Sequence, residues 1–216
     1  MTTSNQTSIQ PAAYQRIATE EAFAPPEMLE IYRKILAKND VDPGFKGLMG
    51  FYMSSPSDRA QHIMRCLQDL DQIRLQHMDE AGIDRQVIAL TAPGVQVMDK
   101  STAVSFAALA NDQLSEAVKR HPTRFTGMIA VAPQDPKAAA LEIERGVTKL
   151  GMHSVIINSH THGEYLSDSK FWDIFAAAES HAVPIYLHPN SLPRNMFQPF
   201  HECGLDGAIY GFGVET

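Results

Sequence analysis

The side chains best suited to chemistry are a carboxylate pair, Glu20 and Glu21, ending the short run Arg16 to Thr19, and an imidazole, His188, ending the run Val183 to Leu187. Carboxylate oxygen and imidazole nitrogen are ligands for a divalent metal, and a (β/α) barrel gathers its chemistry at the C-terminal ends of its strands. Strand periodicity sends Glu20 and Glu21 to opposite faces, so one can face a metal while the other is a supporting or structural acid. Both positions also have an ordinary reading. A carboxylate at a strand end is usually solvated, and a histidine between an apolar strand and Pro189 is usually a satisfied core imidazole.

A second candidate is His160-Thr161-His162, because alternate residues of an extended segment share a face, as a zinc site requires; Gly163, however, signals a turn. Arg59 sits in Ser-Pro-Ser-Asp-Arg, a helix opening where arginine is ordinarily solvated. His62, His77, His121, His153, His181 and His201 lie on helices or connections without such pairing and read as surface or packing residues. Cys66 falls in an apolar helical pattern and is expected in the core.

Strand and helix signals alternate along the elements that must position these residues. Arg16 to Phe23 reads as a strand; after Pro25 and Pro26, the spacing of Met28, Leu29, Ile31, Tyr32, Ile35 and Leu36 predicts a helix. Asn39 to Ser57, bearing Gly and Pro, is expected to be a loop. One long helix is expected from about Asp58, with Ile63, Leu67, Leu70, Ile73 and Met78 on one face and Gly82 as its stop. Gln86 to Thr91 suits a parallel strand buried on both faces. A helix from Ser101 carries Phe106, Leu109, Leu114 and Val118 and cannot pass Pro122. Phe125 to Pro133 is the third strand; Asp135-Pro136 is an N-cap with proline at the first helical position, opening a helix to about Leu150. Ser154 to His160 is the fourth strand, Lys170 to Ser180 a helix, Val183 to Leu187 the fifth strand, and a further helical connection starts near Met196.

Five such units imply a parallel sheet with crossover helices. An open nucleotide-binding sheet would show a Gly-rich first turn, whereas the first strand here ends in Glu-Glu-Ala-Phe-Ala-Pro-Pro, which cannot cradle a pyrophosphate. The expected fold is therefore α/β, a (β/α)8 TIM-barrel type with about five of eight strands in this span. Residues 1–15 are expected to form a polar arm and 16–216 the N-terminal part of the barrel.

Composition excludes several classes. The 216 residues, 44% of them hydrophobic, can bury a sizeable core, and no run approaches membrane-spanning length. A formal net charge of -7 without clustered Lys and Arg argues against a nucleic-acid surface. Cys66 and Cys203 could form one bridge at most, which fits a reducing cytoplasm rather than a disulfide scaffold. The expected partners are a small molecule and further copies of the chain.

Six ordered segments carry a family resemblance: Ile-Ala-Thr-Glu-Glu-Ala-Phe (17–23), Ser-Pro-Ser-Asp-Arg-Ala (55–60), Thr-Ala-Pro-Gly-Val-Gln (91–96), Val-Ala-Pro-Gln-Asp-Pro (131–136), Ile-Asn-Ser-His-Thr-His-Gly-Glu-Tyr-Leu (157–166) and Tyr-Leu-His-Pro (186–189). With these the chain resembles the non-oxidative aromatic-acid decarboxylases of the amidohydrolase superfamily. The resemblance implies that Glu20 and His188 bind one divalent metal and that Arg59 holds a substrate carboxylate with its planar fork. It points to Ala22, Phe23, Thr91, Pro93 and His160 as substrate-binding residues. The related decarboxylases do not use the His160/His162 pair as ligands, so a pocket-lining role is expected for His160. A further aspartate ligand and an acid-base histidine are expected beyond Thr216.

Many relatives carry His where this chain has Ala22, which points to 5-carboxyvanillate, converted to vanillate, among ortho-hydroxy aromatic acids. Losing that imidazole leaves an oxygen-rich ligand set that favours Mn2+, with Zn2+ as the alternative. Two rival readings share the residues: a metal-dependent hydrolase of an ester, lactone or amide, and a non-catalytic fragment or assembly subunit.

Overall fold

In a computed structural model, which describes residues 14–205, the parallel strands form two three-stranded sheets that succeed each other along the chain. β1 (Ile17–Phe23) pairs with β2 (Arg85–Leu90), and β2 with β3 (Phe125–Gly127). The chain then steps sideways: Met128 N–H still donates to Ile88, but Ile129 N–H donates to Ser154, and β4 (Ile129–Ala130) pairs with β5 (Val155–Asn158). β5 pairs with the last barrel strand among the described residues, which is β8 in chain order (Ile185–His188). The five expected strands are thus present, the third of them split into β3 and β4.

The split has a visible partner. Asn111 lies buried on α5 (Lys100–Arg120), where its Nδ2 donates to the Ala130 carbonyl at 2.8 Å and its Oδ1 accepts from the Ala130 N–H at 2.8 Å. A side-chain amide thereby satisfies strand groups at the step. Helix α6 (Pro136–Thr148) opens as its sequence predicts, with Asp135 Oδ1 accepting from Ala138 N–H at 3.2 Å and proline in the first turn. α7 (Trp172–Ser180) completes the outer layer described here. Ile88, Leu114, Phe125, Ile129, Ile143, Val155 and Ile157 are buried between strands and helices.

The segment between the first two strands departs from expectation. Asn39 to Ser57, expected as a loop, contains α2 (Pro43–Ser54) after α1 (Pro26–Leu36). Asp42 caps α2, accepting from Phe45 N–H at 2.9 Å, and Phe45, Leu48, Met49 and Tyr52 recur on one side. Gly44 is required by tertiary contact, because a Cβ there would collide with the Ser191 side chain. The single helix expected from Asp58 is two, α3 (Asp58–Gln68) and α4 (Gln72–Ala81). Asp69 ends the first by accepting from Asp71 N–H at 3.1 Å and Arg74 N–H at 2.9 Å, a side chain competing with the helical ladder. Gly82 does stop α4, in the left-handed conformation at φ +67°.

His160, expected to end the fourth strand, instead joins Thr161 in β6 (His160–Thr161), antiparallel to β7 (Glu164–Tyr165), around the turn at His162 and Gly163. α8 (Arg194–Glu202) is the helical connection expected near Met196, whose continuation past residue 205, like the arm before residue 14, lies outside the described residues. No described helix is long and apolar enough to cross a membrane.

Tyr32 ties the helical layer to the β2 exit. Its ring is fully buried edge-on to Phe45, with centroids 4.9 Å apart, and its hydroxyl donates to the Gly94 carbonyl at 2.7 Å. Burial pushes the Tyr32 phenol far above its ordinary range, so it stays a donor. Tyr32→Phe keeps the packing and removes that donor, and is expected to destabilise the protein by about 1 to 2 kcal/mol in urea unfolding. An unchanged midpoint would mean that the Gly94 carbonyl finds another donor.

Candidate active site

β1 and β8 are not hydrogen-bonded neighbours, yet their side chains meet across the barrel mouth. Glu20 Oε1 lies 3.1 Å from His188 Nε2, and the Tyr186 hydroxyl donates to Glu20 Oε2 at 2.5 Å. Tyr186 and His188 are two residues apart on β8 and so share its inner face, while Leu187 between them is 56% exposed. The hydrogen bond to Glu20 raises the Tyr186 pKa, with smaller contributions from desolvation and from the negative charge of Glu20.

The tautomer of His188 follows from its other nitrogen. Nδ1 is 2.6 Å from the Pro189 carbonyl, an acceptor only, so Nδ1 carries hydrogen and donates. Nε2 then offers Glu20 either a second proton or a lone pair. Two lone pairs aimed at each other across 3.1 Å repel unless positive charge lies between them. Two ligands held about 2.1 Å from one ion at roughly a right angle are themselves about 3 Å apart. The donor set, its spacing and a carbonyl that orients the far nitrogen therefore fit a divalent ion.

Beside this pair lies a cavity of about 300 Å³, within the range of small-molecule sites. Glu20, Glu21 and Ala22 from β1, Thr91 and Pro93 after β2, and His188 at the end of β8 form its polar and strand-end side. Phe45, Leu48, Met49 and Tyr52 from α2, with Ile63, Met64 and Leu67 from α3, form the apolar side. The helix that reads as a loop in sequence is thus one wall of the cavity.

Glu20 and Glu21, expected on opposite faces, both border the cavity. The pairing of β1 with β2 slips between Ala18 and Glu21, breaking strict alternation there. Their carboxylates still take different partners, since Glu21 faces Arg74, 4.0 Å away. Arg74 is 8% exposed and donates to Ala22 O at 2.7 Å, Asp69 O at 2.8 Å and Gln86 Oε1 at 3.1 Å. Burial lowers its pKa, opposed by Glu21, Asp69 and Cys66. The guanidinium anchors the end of β1 that carries Glu20.

The remaining predicted residues are placed differently. Phe23 is buried in the core at 2% exposure and does not line the cavity. Arg59 is exposed in the first turn of α3, one turn before the cavity residue Ile63 and on the same side of the helix. His160 is buried with both nitrogens committed: Nδ1 accepts from Gly163 N–H at 3.2 Å, so Nε2 donates to Ser191 O at 2.7 Å. It borders a neighbouring recess rather than the main cavity, to which it is linked through Ser191 and Asn190. His162 turns away to the Met98 carbonyl at 3.2 Å, so the two imidazoles do not converge.

Tyr186, Arg74 and Gln96 are roles the sequence reading lacks. Gln96 is buried within the 91–96 motif; its Nε2 donates to Asn158 O, His160 O and Thr161 Oγ1, and its Oε1 accepts from Asn158 N–H at 2.7 Å. Tyr186 alone left a signal, at two residues before His188.

The Amidohydrolase family profile matches residues 62–206. Gamma-resorcylate decarboxylase of Rhodococcus jostii is 33% identical over 213 residues, covering 93% of this chain and 59% of that protein. Among solved structures, 5-carboxyvanillate decarboxylase of Novosphingobium aromaticivorans, with bound manganese and 3-methoxy-4-hydroxy-5-nitrobenzoic acid, is 48% identical at a TM-score of 0.90, covering 94% of this chain and 59% of that one. The Sphingomonas paucimobilis 5-carboxyvanillate decarboxylase is 35% identical at a TM-score of 0.84, covering 94% and 60%. The chain thus spans 59% or 60% of the length of these three proteins.

Arg74→Met leaves the Ala22 and Asp69 carbonyls and Gln86 without their buried donor. It is expected to cost about 3 kcal/mol in urea unfolding. Arg74→Lys, which lacks the fork, is expected to recover only part of that; wild-type stability in either variant would remove Arg74 as the anchor of β1.

Proposed function

The chain belongs to the amidohydrolase family, and from that premise we propose that its parent protein removes carbon dioxide, without oxidation, from an ortho-hydroxy aromatic acid, with 5-carboxyvanillate as substrate and vanillate as product. The observation that carries the reading is the convergence of Glu20 and His188 beside an apolar-walled cavity of about 300 Å³. Manganese in two of the similar solved enzymes, from Novosphingobium and Polaromonas, supports Mn2+ as the ion.

Glu20 and His188 would hold that ion, which when bound supplies Lewis acidity toward the phenolic oxygen and carboxylate of the substrate. Tyr186 keeps Glu20 oriented through Oε2, leaving Oε1 for the ion, and the Pro189 carbonyl keeps Nε2 of His188 free to ligate. Met49, Ile63 and Leu67 give the flat ring an apolar wall and exclude water from it. Arg59, one turn before the cavity residue Ile63, would take a carboxylate in two parallel hydrogen bonds. The proton that replaces carbon dioxide on the ring comes, in this reading, from the acid-base histidine expected after Thr216.

The test is vanillate production by the full-length protein with Mn2+. Chelation should abolish it and added Mn2+ restore it. Glu20→Gln and His188→Asn should each lower kcat/KM by at least about 100-fold, and Arg59→Lys should lose about 2 kcal/mol of transition-state stabilisation. Preferred turnover of gamma-resorcylate would change the substrate. Ester or lactone hydrolysis without decarboxylation would replace the reaction.

A further inference from the structure

Away from the cavity lining, α3 and α4 bring together three side chains that the reaction does not use. His62 and Cys66 are four residues apart on α3 and therefore share a face. His77 reaches them from α4, across the turn at Asp69 to Asp71. His62 Nε2 lies 3.5 Å from Cys66 Sγ, and the His62 and His77 rings are 5.7 Å apart. One ligand atom from each falls within 4.8 Å of the others, and among the described residues this is the one group of at least three His, Cys, Asp or Glu side chains so arranged.

We propose that His62, Cys66 and His77 form a second metal site, selective for Zn2+ or a similarly thiophilic divalent ion, distinct from the Glu20–His188 centre. In a tetrahedral zinc site, with Zn–S about 2.3 Å and Zn–N about 2.0 to 2.1 Å, neighbouring ligand atoms are roughly 3.3 to 3.7 Å apart. The His62–Cys66 separation already meets that, and the exposed His77 ring closes the remainder by side-chain rotation. A thiolate with two imidazoles is a softer set than Glu20 with His188, so the two sites sort metals: manganese to oxygen-rich ligands, zinc to sulfur. Three protein ligands leave a fourth position for water.

The site would also act on the cavity. Ile63, Met64 and Leu67 line it from the same helix that carries His62 and Cys66, so an ion joining α3 to α4 fixes one wall from outside. Neither ligation nor wall placement depends on which aromatic acid the centre accepts.

Cobalt reports the site through its sulfur ligand. The full-length protein, with its Glu20–His188 centre first loaded with Mn2+, is titrated with Co2+ and followed for the near-ultraviolet sulfur-to-cobalt charge-transfer band. The band should saturate at one Co2+ per chain and be displaced by Zn2+. It should vanish in Cys66→Ser, persist in Cys203→Ser, and require at least about tenfold more Co2+ in His62→Ala and in His77→Ala, with His62→Asn and His77→Asn as second variants should either alanine form misfold. No band, saturation only at millimolar Co2+, loss of the band in Cys203→Ser, or unchanged affinity in both His77 variants would overturn the proposal.

Discussion

A carboxylate and an imidazole face each other across the mouth of the strand succession, and the rest of the structure depends on keeping them there. Glu20 and His188 come from strands that share no ladder, so no backbone hydrogen bond fixes their distance. Each is held from behind instead: Glu20 by the Tyr186 hydroxyl, His188 by the Pro189 carbonyl. The two restraints leave Glu20 Oε1 and His188 Nε2 facing each other at 3.1 Å, where they repel unless a proton or a cation lies between them. That placement has to be enforced by the scaffold.

The scaffold does so with buried polar clamps rather than with more apolar packing. Arg74 spans α3, α4, β1 and β2 with one guanidinium, and its geometry fixes where β1 ends. Gln96 joins the segment after β2 to the end of β5 and to β6, and His160 joins β6 to Ser191. Such side chains reach several backbone groups at once, which an aliphatic residue cannot do, and these directional bonds favour a single arrangement. The strand ends that line the cavity are thus braced where their ladders stop.

The cavity wall shows a different economy of means. α2 carries glycines that weaken its intrinsic helical preference, yet Asp42 caps it, its apolar side packs over the cavity, and Gly44 lets it approach Ser191. The helix exists because tertiary contact favours it.

Much of the fold was legible because local rules and burial agree: the buried run of β2, the Asp135-Pro136 helix start and the Gly82 stop are each set by neighbours in sequence. The pairing of a carboxylate strand end with an imidazole strand end was legible for the same reason, since strand ends and side-chain types are local properties. What lay beyond the sequence is whatever depends on distant groups meeting. α2 was hidden because its propensity is poor and its contacts are remote; the α3–α4 break was hidden because Asp69 ends a helix only by bonding forward to Asp71 and Arg74. Arg74 looks like any helical arginine until β1 and β2 close over it, and His77 has no relation to Cys66 until the turn folds α4 back. Periodicity reports which face a residue occupies, whereas only the packed chain decides what that face meets.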